Sequence, residues 1–156
     1  MSESEILRKI AVIFVTDVVG FSTLMAQNED LTLRSFRSCK EILDNLFEEH
    51  SGRIFNTAGD SVLAEFPSAV SAVICAVEFQ KLIKARNASV NKEAQMQFRI
   101  GLNMGDVIIE GTNLYGDGVN VAARLEALSQ AGGVCLSKSI HDFVSQKVDL
   151  GFRLIK

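Results

Sequence analysis

The sequence predicts an α+β sandwich with a ferredoxin-like βαββαβ core, extended at its C-terminal end by further strands and helices. Three observations carry this expectation. Short apolar runs bounded by turn residues alternate with longer stretches of helical period, in the order βαββαββαβαβ. Strands come in adjacent pairs around Gly-Asp turns, at Gly59-Asp60 and at Gly105-Asp106. The run Ile10–Val15 is continuously apolar rather than alternating, as a strand covered on both faces requires. No linker, repeat or low-complexity stretch divides the 156 residues, so they read as one domain spanning residues 1–156.

After the strand Ile10–Val15, Asp30 is placed to cap a helix reaching His50, with Phe36, Cys39, Leu43 and Leu46 at helical spacing and Gly52 as its stop. Arg53–Thr57 and Val62–Phe66 flank Ala58-Gly59-Asp60-Ser61 as a hairpin. Ser68, following the single proline Pro67, starts a largely buried helix to Arg86 through Val70, Val73 and Val77. Gln97–Asn103 alternates Phe98, Ile100 and Leu102, and the pattern predicts a turn at Gly105-Asp106 with a return strand through Val107 and Ile109. Gly118–Leu128 is helical, Val134–Leu136 a short strand, Ser139–Val144 a short helix and Phe152–Leu154 a last strand. Val148–Lys156 reads as a strand without its hairpin partner, which leads to the expectation that the domain is truncated at its C-terminal end.

Composition narrows the function classes. A net charge of −3 with no basic patch argues against nucleic acid as a partner. No apolar run approaches the roughly 20 residues that span a bilayer, and Met1-Ser2-Glu3-Ser4-Glu5 lacks an apolar signal core, so no membrane contact and a cytoplasmic location are expected. Cys39, Cys75 and Cys135 are far apart among apolar neighbours and read as reduced core residues. His50 and His141 are isolated, and the spacings build no Cys/His zinc site and no Ser-His-Asp triad.

Two constellations carry chemistry. A right-handed β-helix-β crossover makes the second strand run with the first, and the hairpin then lays the third antiparallel beside the first. This brings Asp17, at the end of the first strand, near Asp60 at the hairpin tip. Two carboxylates there can hold one or two hard divalent cations, and Val19-Gly20-Phe21 offers backbone amides where a glycine lets phosphate approach. Taken singly, Asp17 is equally readable as a cap and Asp60 as a turn residue. In Tyr115–Arg124, Asn120 and Arg124 lie four apart on one helical face, where a guanidinium suits phosphate oxygens. The competing reading pairs Arg124 with Glu126 or Glu110 on a solvated surface.

Phe14–Ser22, Thr57–Phe66 and Tyr115–Arg124, in this order and spacing, resemble the catalytic domain of the class III adenylyl and guanylyl cyclases, from about Ile10 to the C-terminus. The resemblance implies a head-to-tail homodimer with active sites at the interface. One protomer would supply the metal ligands Asp17, Asp60 and the Val18 carbonyl for two Mg2+ or Mn2+ ions. Its partner would supply Asn120 for the ribose and Arg124 for the transition-state phosphate. The ribose 3′-hydroxyl attacks the α-phosphate and pyrophosphate leaves. At the family's base-recognition positions, where adenylyl cyclases place Lys and Asp and guanylyl cyclases Glu and Cys, this chain has Asn56 and Asn113, which suit either purine. Bacterial-type members are mostly adenylyl cyclases, so the resemblance implies ATP as substrate, with a catalytically weak or inactive cyclase-like module as the alternative. Lys156 does not match the family's outer-phosphate lysine, and regulatory regions in a parent protein are implied. The Gly-Gly-Asp-Glu-Phe signature of the diguanylate cyclases is absent.

Overall fold

The computed structural model describes residues 6–148. Strand β1 (Leu7–Val18) leads into a short helix α1 (Phe21–Gln27) and the long helix α2 (Glu29–His50). Strands β2 (Arg53–Ala58) and β3 (Ser61–Phe66) form the hairpin and precede α3 (Ala69–Ala88). Strands β4 (Phe98–Glu110) and β5 (Asn113–Tyr115), helix α4 (Asp117–Leu128), strand β6 (Val134–Leu136) and helix α5 (Lys138–Val144) complete the elements among the described residues. The strand order is β2-β3-β1-β4-β5, with β6 parallel to β4 and every other pairing antiparallel. The expected βαββαβ core is therefore present. The last strand expected at Phe152–Leu154 lies outside the described residues.

Strand β1 alternates between two cores. Val12 and Phe14 join the apolar residues of α2, α3 and α5 on one face, whereas Ala11, Ile13 and Val15 join Val119 and Ala122 of α4 on the other. Continuous apolarity is thus the sequence mark of a strand sandwiched between helical layers. Phe14 sits in an aromatic triad, with ring centroids 5.1 Å from Phe47 and 5.6 Å from Phe66. The sheet also curls around α4. Phe55 of β2 and Leu114 of β5 share one core cluster, and Arg53 Nη1 donates to Thr112 O at 2.7 Å.

Two expectations need correcting. No turn occurs at Gly105-Asp106: β4 runs on to Glu110 because its second half pairs with the start of β1, from Leu7↔Ile109 to Ala11↔Gly105, and the chain reverses at Gly111 in left-handed conformation instead. Helix α2 is capped by the Asn28 side chain, which accepts from Leu31 N, rather than by Asp30; Asp30 lies in the first turn, where its charge favours the helix N-terminus. The pattern also gave no notice of α1, which buries none of its residues.

Helix α4 lies directly on β4 because both surfaces offer glycine. A Cβ at Gly101 would overlap Ala122 O and Glu126 N, and one at Gly118 would approach Asp106 O to 2.6 Å. Asn103 reinforces the contact by donating to Gly118 O at 3.0 Å. Replacing Gly101 by Ala is expected to push α4 off the sheet and lower unfolding free energy by about 1–3 kcal/mol, the usual cost of overpacking. Urea denaturation checks this, and an unchanged midpoint would contradict it.

Candidate active site

The β1–β3 register Thr16↔Val62 continues past the last paired residues to bring the end of β1 against the hairpin tip. There the Asp60 carboxylate Oδ2 accepts a hydrogen bond from Val18 N at 2.8 Å. Asp17 and Asp60, 43 residues apart in sequence, thus meet at one sheet edge, as the topology predicts.

A third carboxyl joins them. Glu126 of α4 is 7% exposed, and its carboxyl lies beside that of Asp17. Asp17 Oδ1 is itself buried and has no hydrogen-bond partner among the described residues, and two adjacent carboxyls favour holding one proton between them over carrying two charges. Burial is the largest cause pushing the Glu126 carboxyl up to about 8, followed by the hydrogen bond to Asp17 and the charge of Asp17, while Arg99 opposes the shift. Burial also raises Asp17, reinforced by Asp60 and opposed by the Glu126 hydrogen bond and by Arg99. Arg99 stands opposite Asp17 in the β1–β4 register, and its Nε donates to Ser129 O at 3.1 Å. Three acids against one guanidinium leave an acceptor-rich, electron-rich pocket edge, whose oxygen-only donor set and orphaned buried Asp17 oxygen fit a hard divalent cation.

Of the amides expected to meet phosphate, Val19 N–H is already bonded to Gln97 O at 2.8 Å. Gly20 and Phe21 N–H have no partner among the described residues, and Gly20 takes φ 65° with nothing within 4 Å of a Cβ placed there. Of the three amides expected to meet phosphate, Gly20 and Phe21 remain as candidates.

On α4, the buried residues are Gly118, Val119, Ala122 and Glu126, whereas Asn120 and Arg124 are exposed. Arg124 makes no ion pair among the described residues, so the expected competition from Glu126 or Glu110 does not arise: Glu126 faces inward to Asp17. Asn56 is exposed on β2, where its Oδ1 accepts from Thr57 N at 2.9 Å. Asn113, on β5, accepts from Leu114 N at 2.8 Å and donates to Tyr115 Oη at 3.0 Å. The sheet's curl brings these two end strands together.

Comparison with known proteins decides the family. A sequence model described as "Adenylate and Guanylate cyclase catalytic domain" matches residues 3–154. The chain belongs to this family. The cyclase domain is 42% identical over 153 residues to a Rhizobium meliloti (strain 1021) protein named "Putative adenylate cyclase 3", covering 97% of this chain and 26% of that protein. It is 26% identical over 150 residues to the receptor-type guanylate cyclase gcy-23 of Caenorhabditis elegans, covering 86% of this chain and 14% of that one. The chain thus spans about a quarter or less of these relatives. Among solved structures, an adenylate/guanylate cyclase/hydrolase from Silicibacter pomeroyi superposes with TM-score 0.86 at 36% identity, covering 96% of this chain and 87% of that one. The adenylyl cyclase CyaB from P. aeruginosa shares the fold of the cyclase domain, with TM-score 0.79 at 24% identity over 92% of this chain and 84% of that one.

Sequence reasoning missed Glu126 and Arg99. Glu126 sits two positions after Arg124 and reads as its surface partner until the helix is rotated into place. Its signal is periodic: Val119, Ala122 and Glu126 fall on one face of α4.

The raised Glu126 carboxyl sets a pH dependence. From its ordinary 4.5 to about 8, folded Glu126 keeps a proton that the unfolded chain loses, so its contribution to stability declines as pH rises through that window. In EDTA, the Tm of the wild type is expected to fall between about pH 5 and pH 8 relative to Glu126→Gln, which cannot ionise. Parallel Tm curves for the two proteins would contradict the buried shared proton.

Proposed function

We propose that this domain converts ATP to 3′,5′-cyclic AMP and pyrophosphate at sites shared between two head-to-tail copies of itself. The observation that carries the proposal is the division of polar groups. Asp17, Asp60 and the free amides of Gly20 and Phe21 gather at one sheet edge, while Asn120 and Arg124 project from the solvent face of α4. Within one chain the face of α4 that meets Asp17 is the Glu126 face, so Arg124 is turned to serve a second copy.

In this reading Asp17, Asp60 and the Val18 carbonyl hold Mg2+ or Mn2+, two ions per site. Bound ions would activate the attacking oxygen and stabilise the leaving one. The chain's own groups do the rest. The Asp60 carboxylate is oriented by Val18 N–H, which fixes one oxygen and leaves the other for a cation. Gly20 and Phe21 N–H point donors at phosphate oxygens. Asn120 of the second copy positions the ribose so that its 3′-hydroxyl lies in line with the α-phosphate. Arg124 stabilises the charge that develops as the 3′-oxygen attacks and pyrophosphate departs.

ATP rather than GTP is favoured by the 42% identity to a relative named as an adenylate cyclase. Asn56 is consistent with that choice without enforcing it: its Oδ1 is taken by Thr57 N, and the remaining NH2 can donate to an acceptor on either purine. A second reading, a nucleotide-binding module with weak or no turnover, draws on the local engagement of both Asn56 and Asn113. No helix among the described residues is long and apolar enough to cross a membrane, and the free buried cysteines suit a reducing compartment such as the cytoplasm. In the matched relative the domain occupies 26% of the length, which suits control by neighbouring regions of a longer protein.

Incubation with ATP or GTP and Mn2+, with the cyclic product separated by chromatography, tests the proposal. Cyclic AMP formation exceeding cyclic GTP formation is expected. Arg124→Ala should lower kcat by ~10²–10³ while changing nucleotide binding less, because its contact strengthens as charge develops. No cyclic product from the wild type would favour the binding module, and an unchanged kcat in Arg124→Ala would remove Arg124 from the chemistry.

A further inference from the structure

His50, the last residue of α2, turns its imidazole toward two carboxylates. Its Nε2 lies 3.7 Å from Glu49 Oε2 and 3.4 Å from Glu78 Oε1, the latter from the middle of α3. One ligand atom from each of the three residues lies within 4.8 Å of the others. The Nε2 atom is buried and makes no hydrogen bond, although the side chain as a whole keeps 18% exposure. Both separations exceed a charge-assisted hydrogen bond. The His50–Glu78 separation falls instead in the range of a tetrahedral edge around a small cation, and the His50–Glu49 separation lies about 0.1 Å beyond it. With ligands at about 2.0–2.2 Å, such edges measure roughly 3.3–3.6 Å.

The local charge points the same way. Among the described residues, His50 is the one basic side chain within ion-pair distance of Glu49 and Glu78, so no lysine or arginine neutralises them. The C-terminal end of α2 adds the negative end of a helix dipole. The buried Cys75 thiol registers this field: burial first, then Glu78 and Glu49, push it up to about 12.

We propose that Glu49, His50 and Glu78 form a binding site for a borderline divalent cation of the Zn2+ class, clasping the end of α2 to α3, separate from the carboxylates at the sheet edge. One imidazole and two carboxylates suit Zn2+ better than the hard cations, which prefer oxygen alone. Glu49 is 66% exposed and Glu78 44%, so the outer side of the site is open to water as a fourth ligand and to entry of the ion. The site does not depend on the domain's catalytic reading.

The test uses the 156-residue chain, stripped with chelator and titrated with Zn2+ by calorimetry and with Co2+ by visible absorption. The wild type is expected to bind one Zn2+ per chain that survives Asp17→Asn/Asp60→Asn, with Co2+ showing the intense d–d bands of a four-coordinate nitrogen-containing site. His50→Gln and Glu78→Gln should each weaken this binding by more than the ~10–100-fold that loss of a mere outer-shell partner costs, and abolish the bands. Glu78→Gln alters an exposed carboxylate, so circular dichroism can confirm that its fold is intact while the metal is lost. Equal Zn2+ affinity in the wild type and Glu78→Gln, or no Zn2+ bound by the wild type, would overturn the proposal.

Discussion

The hydrogen bond from Val18 N to the Asp60 carboxylate joins the two parts of the chain on which the rest of the site depends. It exists because β3 returns antiparallel beside β1, which in turn follows from the handed crossover through α2. A one-residue slip of that register would turn the apolar face of β3 outward and carry Asp60 away from β1. The two apolar layers on either side of β1 prevent the slip. Phe14 is locked into the aromatic triad below and Ile13 into the α4 core above, both fully buried. The precision of the acidic edge is therefore a consequence of core packing.

Helix α4 has two polar roles on opposite faces. Its inner face is brought against β4 by the absence of a side chain at Gly101, close enough for Glu126 to reach Asp17. The outer face carries Asn120 and Arg124. The same rigid seating thus fixes a carboxyl within one chain's acidic edge and sets the angle at which that chain offers its guanidinium elsewhere. The proposed shared site makes use of this geometry, since a helix held by backbone contact cannot rotate to present Arg124 inward.

Much of this was readable in the sequence, for identifiable reasons. Strand β1 declared itself by unbroken apolarity, and the meeting of Asp17 with Asp60 followed from topology alone. The length of β4 did not follow, because Gly105-Asp106 has turn chemistry that long-range pairing with Leu7–Ala11 overrides. The cap of α2 was misplaced by two residues, as Asn28 and Asp30 are both good capping types. Glu126 was hidden because a charged residue beside an arginine on a helix looks like a surface pair; only the docked orientation of α4 reveals its burial. His50 looked isolated because Glu78 lies on a different helix, and spacing within a sequence carries no signal for a cluster assembled by the packing of α2 on α3.

The central claim, that catalysis needs the sheet edge of one chain and the outer α4 face of another, is tested most directly by mixing two inactive variants. Asp17→Ala lacks a proposed metal ligand, and Arg124→Ala lacks the guanidinium proposed to stabilise the phosphate. A mixed dimer carries one site with both defects and one with neither. At equal concentrations with free exchange about half of the dimers are mixed, so about a quarter of wild-type activity should return. If the protomers exchange, each variant is inactive alone, and the mixture stays inactive, the shared-site account is wrong.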